Sequence, residues 1–186
     1  MDLFDEAVQF AVLAHKGQKR KLSGLPAVFH SIETAEIVSE LTDKPETRAA
    51  AVLHDTVEDA GVTLEQIKEK FGERVAFLVA AETENKRPEM SAEDSWMARK
   101  QESINDLSKT DDPEIKAIFL GDKLSNLRSI KQMIDLGENP WEHFHQKDTE
   151  KHHWYYRSIA NYLTIYENTA AFTEYDELIK KVFNEQ

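Results

Sequence analysis

The chain has 186 residues and no cysteine, and 35 acidic against 23 basic residues leave a formal net charge of −12. Without cysteine there is no disulfide framework, no thiol nucleophile and no thiolate metal ligand. The acidic balance argues against a nucleic-acid partner, whose binding proteins carry a basic face. No run of about 18 apolar residues offers a membrane span, and Met1-Asp2-Leu3-Phe4-Asp5-Glu6 lacks the basic and apolar regions of a secretion signal, so a cytoplasmic protein is expected.

Taken in chain order, the pattern predicts helices and almost no strand. Phe4, Ala7, Val8, Ala11 and Ala14 recur at helical spacing, with Gly17 as the stop. A second helix is expected over residues 31–41 after the turn Ser23-Gly24-Leu25-Pro26. Pro45 suits the first turn of a third, which runs through the apolar stretch Ala49-Ala50-Ala51-Val52-Leu53 into an acidic motif. Thr63-Leu64-Glu65-Gln66 reads as a capping box that opens a fourth helix, closed by Gly72. A fifth covers residues 73–83, residues 84–92 read as an exposed connection, and a sixth covers residues 96–107. Asp112-Pro113 caps a long seventh that ends near Gly137, Pro140 breaks the chain, and two more helices are expected over residues 149–168 and 174–183. No repeat or linker divides the sequence, so the expectation is all-α, one domain over residues 1–186, with helices packed around a cleft.

The acidic motif His54-Asp55-Thr56-Val57-Glu58-Asp59 carries the chemistry. On a continuous helix His54 lies one turn below Glu58 and Asp55 one turn below Asp59, which puts all four into a sector of about 140°. After so apolar an approach, three carboxylates and an imidazole need a compensating positive charge, and a divalent cation supplies it. His30 and Asp122, the latter an acid inside the apolar run Ile118 to Leu127, can complete the set. Two imidazoles and two carboxylates suit Mn, Fe, Zn, Ni or Co better than calcium. Asn126 and Ser129 follow Asp122 at spacings of four and three and share its helix face.

These residues resemble the HD superfamily of metal-dependent phosphohydrolases, and more closely the hydrolase domain of Rel/SpoT proteins. The matching stretches are Ala14-His15-Lys16-Gly17-Gln18-Lys19-Arg20-Lys21-Leu22-Ser23-Gly24, Leu53 to Asp59, Phe71-Gly72-Glu73-Arg74-Val75, and Gly121-Asp122-Lys123-Leu124-Ser125-Asn126-Leu127-Arg128. The family usually has Pro-Tyr before the first metal histidine and proline after it, where this chain has Pro26-Ala27-Val28-Phe29-His30-Ser31. Gly121 stands where alanine is usual, and a minor packing change is expected there.

The resemblance implies an HD-type helical bundle with one divalent ion per chain, Mn2+ expected, held by His30, His54, Asp55 and Asp122. Glu58 and Asp59 are then the catalytic pair. Arg20, Lys21, Ser23, Asn126 and Ser129 are expected to bind substrate, the arginine lying against a purine, and Arg99 and Lys100 after Trp96 are expected either to meet a distal phosphate or to lie on the helix surface. The implied reaction is hydrolysis of the 3′-pyrophosphate of guanosine 3′,5′-bis(diphosphate), (p)ppGpp, to GDP or GTP plus pyrophosphate. The length leaves no room for the synthetase and regulatory modules of full Rel/SpoT proteins, so a stand-alone small hydrolase is expected. Removal of the 2′-phosphate of NADPH and a metal-stabilised module without catalysis are the alternatives. His143, His145, His152 and His153 receive no role, and Trp154, Tyr155, Tyr162 and Tyr166 read as a core stripe.

Overall fold

Helix α3 (Pro45–Leu53) occupies the middle of the molecule in a computed structural model, which describes residues 2–185. Its five residues Ala49 to Leu53 are fully buried. Three consecutive alanines give it a thin profile, so α1 (Leu3–Ala14), α2 (Val28–Leu41), α6 (Glu73–Glu82) and α8 (Pro113–Asp135) all pack against it. Around this centre α10 (Ala170–Phe183) packs on α8, α5 (Leu64–Phe71) on α6, and α7 (Trp96–Lys109) on α9 (Thr149–Ala160). Among the described residues there is no strand, only an isolated bridge between Lys19 and Pro26. No helix among them is long and apolar enough to cross a membrane. The fold is all-α.

Local chemistry sets most of the boundaries. Asp2 caps α1 by accepting from the Asp5 N–H at 2.8 Å, and Asp112 caps α8 by accepting from the Glu114 N–H at 2.9 Å, with Pro113 in the first turn. The capping box at Thr63 and Gln66 forms in both directions, at 3.2 and 2.8 Å. Gly72, at φ 91°, makes the sharp step from α5 to α6.

Four boundaries differ from expectation. The second helix begins at Val28, so His30 sits inside its first turn. The third ends at Leu53; His54 and Asp55 form a turn before the short α4 (Thr56–Asp59). The helix expected over residues 149–168 stops at Ala160, and a 3-10 turn at Thr164–Tyr166 leaves Tyr162 exposed and outside the core stripe that Tyr155 and Tyr166 do join. The last helix starts at Ala170, capped by the Thr169 hydroxyl, which accepts from the Phe172 N–H at 3.2 Å.

Gly121 is also more than a minor packing change. A Cβ there would stand 2.9 Å from Val38 Cγ2 and 3.0 Å from the Thr34 carbonyl oxygen, so α8 approaches α2 more closely than alanine allows. That contact sits one residue before Asp122 and holds the helix that carries it against the helix that carries His30.

Candidate metal centre and cleft

Three parts of the chain bring the expected ligands together: the first turn of α2, the step between α3 and α4, and the middle of α8. His30, His54 and Asp122 are buried and each presents one ligand atom within 4.8 Å of the others. His30 Nε2 lies 2.9 Å from Asp122 Oδ1, and His54 Nε2 lies 3.7 Å from the same oxygen. Asp55 approaches both rings with different oxygens, Oδ1 at 3.3 Å from His54 Nε2 and Oδ2 at 3.7 Å from His30 Nε2.

Hydrogen bonding decides which ring nitrogens are free. His54 Nδ1 is 2.7 Å from the Ala51 carbonyl oxygen, which only accepts, so Nδ1 carries the proton. Ser125 Oγ donates to Glu33 Oε2 at 2.6 Å and therefore accepts from His30 Nδ1 at 2.8 Å. Both Nε2 atoms thus turn a lone pair towards carboxylate oxygens, and His54 Nε2 is buried with no hydrogen-bond partner. Acceptors this close repel unless a cation lies between them. The His54 pKa direction agrees, and that of His30 runs the other way. Burial opposes charge on His54, yet the carboxylates of Asp55 and Asp122 overcome it and hold the ring well above the ordinary imidazole value. Since Nδ1 is already committed, the proton gained sits on Nε2, in the place a metal would take. Burial lowers the His30 value despite the Asp122 carboxylate beside its Nε2. The donor set fits a divalent transition metal held by imidazole and carboxylate.

The acidic motif does not present one face, because the turn at His54 and Asp55 separates it. Glu58 points into the cleft, where its Oε2 accepts from the Glu84 N–H at 3.2 Å. Burial, with Glu84 and Asp55 adding repulsion, pushes its carboxyl up to about 7. Asp59 lies half-exposed at the rim, in an ion pair with Lys86, whose ammonium is also 3.8 Å from Glu58 Oε1.

The expected substrate residues divide. Arg20 donates to Asn126 Oδ1 at 3.2 Å and Ser129 Oγ at 3.0 Å, and Asn126 donates in turn to Asp122 Oδ1 at 2.7 Å. A continuous polar chain therefore joins the α1–α2 loop to the ligand cluster. Lys21 lines the cleft and is exposed. Ser23 is not among the lining residues; its hydroxyl accepts from the Leu25 N–H at 3.3 Å and serves the turn. Arg99 and Lys100 line the cleft over the buried Trp96, at 2.7 and 2.6 Å from the two oxygens of Glu84. They are wall residues, not charges on the outer helix surface.

Several lining groups had no expected role, although His15 and Lys123 lie within matching stretches. Glu82 is buried with one oxygen unpartnered, and burial pushes its carboxyl up to about 8. Lys123 forms a buried ion pair with Asp122 and lies 3.6 Å from Glu82 Oε2. His15, Tyr155 and Tyr156 also line the cleft, which has a volume of about 340 Å3. The only advance signal for Glu82 was an acid closing an apolar helical run, and for Lys123 its place beside Asp122. Of the late histidines, His152 touches the cleft, but its Nε2 donates to the Gln146 carbonyl at 2.8 Å among Trp96, Trp141 and Phe144.

Comparison with known proteins now gives this geometry a family. Residues 7–146 match the HD domain family. The chain is similar to a guanosine-3′,5′-bis(diphosphate) 3′-pyrophosphohydrolase of Aquifex aeolicus, at 39% identity over 124 residues, 67% of this chain and 17% of that protein. It is also similar to a GTP pyrophosphokinase of Streptomyces coelicolor, at 34% over 131 residues, 69% of this chain and 15% of that protein. It therefore spans about a sixth of the length of these curated relatives. Among solved structures, a metazoan SpoT ortholog described as hydrolysing ppGpp and acting in starvation responses superposes with a TM-score of 0.80 at 27% identity, covering 97% of this chain and 96% of that one. A Listeria monocytogenes EGD-e protein superposes with a TM-score of 0.70 at 33% identity, over 84% of this chain and 94% of its own. The family match takes in all four clustered residues and both acids after them, and the chain belongs to the HD domain family.

Proposed function

We propose that residues 1–186 act as one HD-type unit, a metal-dependent phosphohydrolase that removes the 3′-pyrophosphate from guanosine 3′,5′-bis(diphosphate) or its pentaphosphate analogue, giving GDP or GTP plus pyrophosphate. The observation that carries the reading is the pair of imidazoles whose Nδ1 atoms are committed elsewhere and whose Nε2 atoms converge on Asp122. The relatives named above favour the alarmone as substrate, as do the cationic side chains of Arg20, Lys21, Arg99 and Lys100 that line the cleft beside its carboxylates.

His30, His54 and Asp122, with Asp55 beside them, would hold one divalent ion, Mn2+ in this reading. Such an ion supplies a Lewis acid at the phosphorus and lowers the pKa of water towards about 7. The protein residues do the rest. Glu58, with a carboxyl poised near neutrality, takes the proton from the attacking water. Asp59 orients that water from the rim. Arg20 offers a planar guanidinium to the purine and Lys21 a mobile ammonium to phosphate. Lys100 and Arg99 also line the cleft, where a polyphosphate would compete with Glu84 for them.

Purified protein with Mn2+ is expected to turn over ppGpp faster than its adenine counterpart and faster than NADPH, with products resolved by chromatography. Ala27 lines the cleft where a tyrosine would narrow it, so the base preference is expected to be loose. If ppGpp is the poorest of the three, the alarmone assignment fails while the metal-hydrolase reading stands.

A further inference from the structure

His15 repeats the construction of the two cluster histidines but lies outside their cluster. It is 4% exposed, closes α1, and lines the cleft. Its Nδ1 is 2.7 Å from Gln18 Oε1, and Gln18 Nε2 is 2.7 Å from the Asp59 carbonyl oxygen. A carbonyl only accepts, so Gln18 must turn its NH2 group to Asp59 and its oxygen to His15. That oxygen also only accepts, so His15 Nδ1 is the donor. In the neutral ring Nε2 is then a bare acceptor, and it is buried with no hydrogen-bond partner. A polar atom left so, at a cleft wall, loses stability unless a ligand completes it.

We propose that His15 is a substrate-binding residue whose Nε2 accepts a hydrogen bond from the ribose hydroxyl next to the scissile phosphate ester. A hydroxyl fits better than a phosphate oxygen, because a lone pair repels an anion and attracts an O–H. The ribose fits better than the base because Gln18 ties His15 to Asp59, beside the carboxylate that handles the reacting water. Gln18 is a positioning residue: it fixes the tautomer and couples the end of α1 to the acidic motif. The assignment rests on the nucleotide reading above and adds the 2′-hydroxyl as a recognised group.

Nitrogen NMR on labelled, metal-free protein tests it without turnover. His15 should be the Nδ1–H tautomer; ppGpp should move its Nε2 resonance, and the 2′-deoxy analogue should leave it in place. In metal-loaded enzyme, His15→Asn keeps a donor towards Gln18 but lacks the cleft acceptor. It should raise KM for ppGpp about tenfold, leaving kcat and bound metal unchanged. The same variant should no longer distinguish ppGpp from its 2′-deoxy analogue, and His15→Gln, whose amide oxygen reaches the Nε2 position, should recover most of the loss.

An Nε2–H tautomer, an Nε2 resonance indifferent to ppGpp, or an unchanged KM in His15→Asn overturns the proposal. A response erased by removing the guanine amine in place of the 2′-hydroxyl overturns the hydroxyl assignment. Protein that shows the Nε2 response but hydrolyses no ppGpp removes the alarmone reading and leaves His15 as a ligand contact; hydrolysis without that response does the reverse.

Discussion

At the floor of the cleft the histidines are fixed by buried hydrogen bonds: His54 to its own helix backbone, His30 through Ser125 to Glu33. At the rim, Lys86 holds Asp59 through an ion pair whose members are both about half exposed, while along the wall Arg99 and Lys100 hold Glu84 with side chains only 11–18% exposed. Buried hydrogen bonds to fixed backbone leave little conformational freedom, whereas ion pairs near water are weak and exchange partners. The floor is therefore suited to hold one geometry, and the exposed Lys86–Asp59 pair at the rim to release its ammonium to a polyanion. Substitutions should separate these two behaviours.

The largest effect belongs to the floor. His54→Ala or Asp122→Ala should abolish stoichiometric metal, read by elemental analysis, and reduce hydrolysis by at least about 10³-fold, because each leaves an incomplete shell and an uncompensated charge. Full activity in metal-free protein would remove the hydrolase mechanism altogether.

Glu58→Gln lies between floor and rim and should cost about 10²-fold in kcat while bound metal stays near one per chain. Its pH dependence has a definite sign. A base must be ionised, so activity falls as pH drops through the Glu58 pKa, which burial and neighbouring carboxylates raise to about 7. A bound cation lowers that value, so the acid limb of kcat/KM should lie at or below neutrality. Glu84→Gln removes a repelling neighbour and should move the limb further towards acid. A limb unmoved by Glu84→Gln would detach Glu58 from the rate.

Gly121→Ala probes the floor by packing alone. With its Cβ 2.9 Å from Val38 Cγ2, it should destabilise the fold by roughly 1–3 kcal/mol in denaturant titration and weaken metal binding together with it. Unchanged stability would mean that α2 and α8 adjust freely.

The smallest effect is expected at the rim. Lys86→Ala should change stability negligibly and activity only a few-fold, the difference shrinking at high salt. A loss as large as that of Glu58→Gln would show that the lysine is fixed machinery.

The same contrast explains what the sequence made legible. Asp122 stands out because an acid interrupts an apolar helical run, and His54 and Asp55 because they open an acidic motif after one, whereas His30 has only its place just after a turn; the structure gathers all four. Their neighbours Lys123, inside a matching stretch, and Glu82 received no role. Adjacent residues on a helix diverge by about 100°, and only the length of the lysine side chain brings its ammonium back to Asp122. The pairing of Glu84 with Arg99 and Lys100 depends on the path of the non-helical segment 84–95 between α6 and α7, which no periodicity encodes. The overlong helix expected across 149–168 has a similar cause: neither glycine nor proline marks the stop at Ala160, and Leu163 and Tyr166 continue the apolar spacing although the backbone has already left the helix. Gly121 looked interchangeable with alanine because the tight approach involves Val38 and Thr34, more than 80 positions away in the chain.

That approach has a consequence for altering the protein. With α2 and α8 pressed together at Gly121, the helices that carry His30 and Asp122 form one mechanical unit, and residues 19–26 and 84–99 lie outside those two helices. A library confined to those two segments could explore new nucleotides while inheriting an intact metal seat. Gly121, Thr34 and Val38 are the positions such a library should leave alone.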